Sequence, residues 1–406
     1  MPKRLPLDRA TASTQAAVHC PHFGPCGGCS MLDVRYTEEV GMKEAAFAQL
    51  VRGSQALRKA RILPMLRARE PLFYRTALKV PFGHGEAGIV AGFFKRRTHT
   101  IVDLAQCAIQ HPTLTRLLLD VKRFAAAIGV SIYDEHTHRG VLRHFLARVG
   151  SGTRELLAGF VVRDADDEAV RELAQATMEA WGGRGLVGVV ENVNPERTNV
   201  ILGDRTHTLV GRGHLLEEAD GIRSRTPLEA FVQVNAAQAS TLYREVARLL
   251  APVDGKRIVD LYSGFGPIAL RLAHAGARVV AIERNAAAVR EGELAASDNG
   301  LSERVTFLAS DADHGLRATD AQGLDAVVVD PPRRGLAPGV IATLKALAFE
   351  RLVYVSCNPE TFVRDLEALA PELRVKELRG VDLFPRTDHL ESIAVLERTA
   401  ARTPGP

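Results

Sequence analysis

The chain has 406 residues, 46% of them hydrophobic and 25% charged, and a net charge of +4. This length suits two or three domains, and the composition is that of an ordinary globular protein without low-complexity blocks. The longest apolar stretches are strand-sized, far short of the ~20 residues of a membrane-spanning helix. The polar, basic start lacks the apolar run of a signal peptide, so a cytoplasmic protein is expected.

Residues 1–18 read as a flexible arm. The segment CPHFGPCGGCS (20–30) is too rich in Gly and Pro for a helix or strand and should fold as a loop around something. It carries Cys20, Cys26 and Cys29, while Cys107 stands alone and Cys357 lies far toward the C-terminus. An odd count, with three thiols clustered, argues against a disulfide framework in a reducing compartment and for a metal centre. Apolar spacing predicts a helix over 36–52, expected to pack on the C-terminal domain.

From Phe73 to about Val210 short alternating runs predict antiparallel strands, including GIVAGFF, VLRHFLARVG, RELLAGFVVR, GLVGVVENVNP and TNVILGD. Helical segments near 114–127 and 168–180 interrupt them. Two basic stretches fall early. Seven Lys or Arg between Arg52 and Arg75 stand against Glu70 alone, and Lys95, Arg96 and Arg97 follow Phe93 and Phe94. Charge by itself fits a solvated face as well as a nucleic-acid contact.

After Pro227 strands and helices alternate. Strands are predicted at RIVDLY, RVVAIE, RVTFLA, LDAVVVD and RLVYVS, with helices near 268–274, 286–299, 338–349 and 359–370. The fold class is α/β: a mostly parallel sheet over 216–406 with helices on both faces, joined to a β-rich domain over 19–215. Residues from Val381 onward, ending in LESIAVLE, look like a closing hairpin.

Asp260–Gly266 (DLYSGFG) stands between a strand and a helix, and Gly264 and Gly266 admit close backbone approach to a ligand. Glu283 ends the next strand, where an acid can hold ribose hydroxyls, and Asp330 ends the fourth beside the same crevice. The third glycine of the dinucleotide fingerprint would fall at Ala269 and is absent. The pattern resembles class I S-adenosylmethionine-dependent methyltransferases more than dehydrogenases. Cys357, in SCNP, follows the apolar strand RLVYV and precedes a helix that Pro359 begins. A helix N-terminus can lower a thiol pKa, and the thiolate is the nucleophile. Asp388, His389 and Glu391 are candidate bases, and physics alone does not choose among them.

Taken together, FVQVN (231–235), DLYSGFG (260–266), AIERN (281–285), DPPRRG (330–335), VSCNPET (355–361) and HLESIAVLER (389–398) resemble the RNA uracil-5-methyltransferases over nearly the whole chain. The resemblance implies a Rossmann-like domain in which Cys357 adds to carbon-6 of uracil and Glu391 removes the carbon-5 proton. It also implies that Gln233, Tyr262, Glu283, Asp311 and Asp330 contact S-adenosylmethionine. The family often has Asn where Pro267 stands, so the cofactor interaction of that position is expected to be missing. Cys20, Cys26, Cys29 and Cys107 resemble the [4Fe–4S] pattern of the 23S ribosomal RNA branch, although four thiolates also suit zinc. With 19 residues before Cys20, the N-terminal OB-like domain of many such enzymes is expected to be missing. Arg75, Lys79, Arg96 and Arg97 become expected RNA contacts, and a monomer is expected. The rivals are a tRNA uridine methyltransferase, an amino-group methyltransferase for which DPPR stands in for DPPY, and a non-catalytic RNA-binding iron–sulfur protein.

Overall fold

The computed structural model describes Leu7 and residues 18–86, 88–319, 323–370 and 372–399. Apart from Leu7 and Val18, the arm expected over 1–18 lies outside the described residues. The chain opens with α1 (Tyr36–Gly53) and β1 (Arg61–Ile62). It then runs through β2 (Ala77–Gly85), β3 (Gly88–Phe94), β4 (Ile101–Asp103), α2 (Pro112–Ile128), β5 (Leu142–Val149), β6 (Leu156–Val162), α3 (Glu168–Trp181), β7 (Leu186–Val193) and β8 (Arg205–Gly211). A hairpin of β9 (His214–Ala219) and β10 (Ile222–Pro227) leads to α4 (Ala236–Leu250). The remainder is β11 (Arg257–Leu261), α5 (Pro267–His274), β12 (Arg278–Glu283), α6 (Ala286–Asp298), β13 (Val305–Ala309), α7 (Ala312–Ala318), β14 (Ala326–Val329), α8 (Pro338–Ala346), β15 (Arg351–Ser356), α9 (Pro359–Leu369), β16 (Leu373–Val381) and β17 (Glu391–Arg398).

The C-terminal sheet has the order β1-β16-β17-β15-β14-β11-β12-β13. Strands β11 to β15 pair in parallel, and β17 runs antiparallel between β15 and β16. From β11 the chain goes first to β12 and later returns to β14 on the other side. That reversal opens a crevice at the carboxyl ends of β11 and β14. Side chains alternate between two cores. Ile258, Val279, Val328 and Val353 face the α4–α5–α6 layer, and Val259, Ile282, Val327 and Leu352 face α1, α8 and α9. Burial on both faces explains why these strands read as unbroken apolar runs.

The central sheet has the order β4-β3-β2-β5-β6-β7-β8. Helices α2 and α3 cover one face, and Leu215 of the β9–β10 hairpin and Leu228 cover a smaller patch on the other. Four expectations are corrected. β6 and β7 pair in parallel rather than antiparallel, because α3 carries the chain back across the sheet. TNVILGD is not a strand. The Asn194 and Asn192 amides hold the Val200, Ile201 and Gly203 carbonyls as an irregular loop, and the strand is the following β8. Helices α4 and α7 were not foreseen; Asn235 and Asp311 cap them through the Gln238 and His314 amides. The closing hairpin starts at Leu373, not Val381, and residues 382–390 form its connection.

Candidate active site

Cys357 leaves β15 where Asn358 caps α9, its Oδ1 accepting from the Glu360 amide at 3.1 Å, and Pro359 takes the first helical position. The β15–β17 ladder ends at the pair Ser356–Ser392. The next residue on each strand is Cys357 on one side and Glu391 on the other, so the antiparallel register makes them neighbours. Asp330 follows β14, one strand over. Of the three candidate bases, Glu391 is the one at this position, only 1% exposed, with one carboxylate oxygen lacking a hydrogen-bond partner. Asp388 and His389 line an outer cleft instead.

Burial acts on all three acidic groups, and neighbouring charge on two of them. Burial, and then Glu391 and Asp330, push the Cys357 thiol up to about 12, against the opposing charge of Arg333. Burial and Asp330 hold Glu391 well above the usual carboxylate range, while Arg333 pulls it down. Burial raises Asp330 to about 7. The lowered thiol pKa expected from the helix N-terminus is therefore corrected: loss of water and two neighbouring carboxyls outweigh a dipole at the end of one helix. Arg333 belongs to the loop after β14, and Asn358 Nδ2 and Thr361 Oγ1 both donate to its carbonyl. Asp365 ties the same loop to α9, accepting from the Leu336 amide at 2.7 Å and the Tyr354 hydroxyl at 2.6 Å.

The crevice is built on three left-handed residues, Tyr262 (φ 62°), Gly264 (φ 57°) and Gly266 (φ 82°). A tyrosine in this region is strained, which is a mark of functional loops. Glu283 is held by the amides of Gly264 (3.2 Å) and Asn285 (2.7 Å). Asp260 accepts from the Ala269 amide at 3.1 Å, and burial raises its carboxyl to about 8. Asp311 stands at the end of the third strand as the cap of α7. Gln233 is half-buried on the strap before α4. That strap joins three parts of the fold: Thr76 donates to the Val234 carbonyl, and Asn235 donates to the Leu383 carbonyl.

Cys20, Cys26, Cys29 and Cys107 line one small pocket with Leu32 and Leu104. Burial and the other three thiols push Cys29 up to about 12, and Arg75 opposes the rise. The Gly28 amide donates to Cys26 Sγ at 3.4 Å, and burial raises the Cys107 thiol while the amides of Ile109 and Gln110 oppose the rise. Among the described residues, no three His, Cys, Asp or Glu converge as ligands of a metal ion do.

Beside this pocket lies a cleft of about 250 Å³ lined by Arg75, Phe93, Phe94, Arg96, Asp388 and His389, with residues 27–30 and 387. Arg96 donates to the Cys29 carbonyl at 3.0 Å and the Gly27 amide to the Phe94 carbonyl, which docks the β3–β4 hairpin on the cysteine loop. Arg97 is exposed with φ 62°, and Lys79 is exposed on β2, where local desolvation and then Arg148 lower its ammonium pKa.

Sequence reasoning missed Asp260, Arg333 and Asp365 as parts of the site. The available signal was a charge in an apolar phase: Asp365 shares the buried face of α9 with Phe362, Leu366 and Leu369.

Residues 216–399 match the model of the family described as tRNA (Uracil-5-)-methyltransferase. An uncharacterized RNA methyltransferase of Halalkalibacterium halodurans is 34% identical, covering 93% of this chain and 82% of its own. One from Leptospira interrogans is 30% identical over 93% of this chain and 98% of its own. Among solved structures, the Pyrococcus abyssi tRNA (uracil-54, C5)-methyltransferase in complex with S-adenosyl-L-homocysteine is similar at a TM-score of 0.74 and 25% identity, covering 92% of this chain and 86% of that one. With the cysteine and glutamate side by side at the mouth of a methyltransferase sheet, and with these relatives, the chain belongs to the RNA uracil-5-methyltransferase family.

Proposed function

We propose that this protein methylates carbon-5 of a uridine in 23S ribosomal RNA, with Cys357 as nucleophile and Glu391 as base. The observation that carries the reading is the register that brings Cys357 and Glu391 out together, with Asp330 one strand away. Cys357 Sγ adds to carbon-6 of the uracil, which places electron density on carbon-5. S-adenosylmethionine supplies the electrophilic methyl group when bound. Glu391 takes the carbon-5 proton, and the sulfur–carbon bond then breaks to regenerate the thiolate. Burial raises the pKa of both groups, so Cys357 must lose its proton before it adds, and Glu391 must be ionised when it takes the carbon-5 proton. Gln233, Tyr262, Glu283, Asp311 and Asp330 would hold the cofactor; Glu283, already fixed by two amides, suits the ribose hydroxyls.

Cys20, Cys26, Cys29 and Cys107 are assigned to a [4Fe–4S] cluster. Support comes from four thiols around one apolar cavity, with amides directed at two of the sulfurs. A cluster takes one thiolate on each iron, so its ligands stand apart rather than converge as zinc ligands do. When bound it would cross-link the loop; the methylation needs no redox step. Phe93 and Phe94 with Arg75 and Arg96 suit stacking and phosphate contact along the cleft, and Lys79 and Arg97 extend the charge. The target base must leave its stack to reach Cys357. We place the protein in the cytoplasm as a monomer; among the described residues no helix is long and apolar enough to cross a membrane.

The test is tritium release. RNA carrying tritium at uridine carbon-5 is incubated with the protein and S-adenosylmethionine, and water-borne tritium is counted. Release from 23S fragments is expected and should vanish in Cys357→Ala. The similar solved enzyme is a tRNA methyltransferase, so tRNA transcripts form the second arm. Release from tRNA alone would reassign the substrate, and no release from any RNA would remove the carbon-5 chemistry.

A further inference from the structure

The connection 382–390 delivers Glu391 to the site, and its anchors come from the other end of the chain. Asp382 accepts from Lys43 Nζ at 2.8 Å and from the Tyr36 hydroxyl at 2.8 Å. Lys43 Nζ also donates to Glu39 Oε1 at 2.8 Å and to the Phe384 carbonyl at 3.3 Å. Glu39 Oε1 accepts the Arg386 amide at 2.7 Å, and its other oxygen lies 3.6 Å from Arg386 Nη1. Arg386 is left-handed (φ 66°), donates to the Val34 carbonyl at 2.8 Å, and accepts the Ser30 and Met31 amides on its own carbonyl.

Lys43, Glu39 and Asp382 are 0% exposed and Arg386 is 3% exposed, so two positive and two negative charges sit out of water together. An apolar cluster of the same volume would give as much stability, because burying ions costs what their pairing returns. What the charges add is direction. Three acceptors fix Lys43, two donors fix one oxygen of Glu39, and the loop has one place to sit. A buried ionic set that specifies geometry rather than stability is best explained by what that geometry serves.

We infer that Lys43 is a positioning residue for Glu391. Through Glu39 and Asp382 it holds the 382–390 loop so that the carboxylate faces the carbon-5 proton once the base is attached to Cys357. The inference rests on the proposed function above.

The test uses the full-length protein with Lys43→Met, which keeps an unbranched stem one atom shorter and removes the ammonium, and Tyr36→Phe, which deletes only the hydroxyl joining Asp382 to the Ala68 amide. Tritium release is counted with the RNA that the wild type methylates, and denaturing gels measure the covalent RNA–protein adduct. A misplaced base slows proton removal after the adduct has formed. Adduct per turnover should therefore rise ~10-fold or more in Lys43→Met, within the range of general-base effects. Its kcat should fall while KM for RNA stays within about twofold, and Tyr36→Phe should move the same way by less. A merely weakened fold would lower adduct and product together. Folded variants that turn over without excess adduct overturn the inference; if Lys43→Met does not fold, Tyr36→Phe decides on the same criterion. A wild type that gives neither tritium nor adduct from any RNA removes the proposed function and this inference with it. An active wild type beside variants without adduct removes the inference alone.

Discussion

Gly266 offers a perturbation whose cost can be worked from geometry. It caps α5 at φ 82°, and a Cβ there would stand 2.7 Å from Cζ and 2.8 Å from Cε1 of Phe307. The ring cannot retreat freely, because it also packs tightly on Gly292 of α6, where a Cβ would meet Cε1 at 2.3 Å. Gly266→Ala therefore carries a left-handed backbone cost of ~1–2 kcal/mol and an overpacking cost of ~1–3 kcal/mol. Gly264 is the internal control. It has φ 57°, but its Cβ would meet nothing within 4 Å, so Gly264→Ala should carry the backbone cost alone. Denaturant melts of the full-length protein, read on the transition of the C-terminal sheet, should place Gly266→Ala below Gly264→Ala by the packing share. Adding Phe307→Leu should return that share and leave the backbone share, a coupling that a double-mutant cycle isolates. Equal losses in the two glycine variants, or no coupling to Phe307, would refute the reasoning.

Three further outcomes are expected. Arg333→Gln removes the cation that opposes the rise in the Cys357 thiol pKa, so iodoacetamide should label that cysteine more slowly at mildly alkaline pH; mass spectrometry of the 357 peptide reads it, and an unmoved rate would contradict the electrostatics. Burial raises Asp260 to about 8 and Asp330 to about 7, above their unfolded values, so this stability is whole below about pH 4 and is lost as pH rises through 7 to 8, by at most ~1.4 kcal/mol per pH unit for each proton. Asp260→Asn should flatten that fall between pH 5 and 8, and an unchanged slope in denaturant melts would show that the carboxyl is not titrating there. Arg75→Ala with Arg96→Ala should reduce the salt dependence of RNA binding by ~0.7 in log–log slope for each phosphate no longer neutralised, and a slope equal to wild type would take the cleft out of the interface.

The C-terminal sheet was legible because its strands are buried on both faces, so RIVDL and AVVV stand out as short unbroken apolar runs between turn signals. Cys357 was legible as a strand end followed by a capped, proline-initiated helix. Its relation to Glu391 was not. Thirty-four positions separate them in sequence, and only the antiparallel insertion of β17 beside β15 brings them to one level; without that register Asp388, His389 and Glu391 were equal candidates. The direction of the thiol pKa was misread for a similar reason. A local rule about helix ends was applied where non-local burial and two carboxyls decide. TNVILGD was misread because the asparagines that hold its carbonyls stand six or more positions away, outside any local pattern.

The least legible feature was how much of the site the start of the chain supplies. Glu39 and Lys43 stand four apart on the buried face of α1 beside Val40 and Phe47, two charged residues among apolar ones. They are the anchors of the loop that ends at Glu391. The cysteine loop grips the same connection, with the Ser30 and Met31 amides on the Arg386 carbonyl and Ser30 Oγ accepting from the Asp388 amide. Residues 387–389 thus face the cleft lined by Arg75 and Arg96, while the same stretch leads into the buried Glu391. One short connection therefore joins the surface suited to RNA to the group that would finish the reaction, and a change at either end of it should be felt at the other.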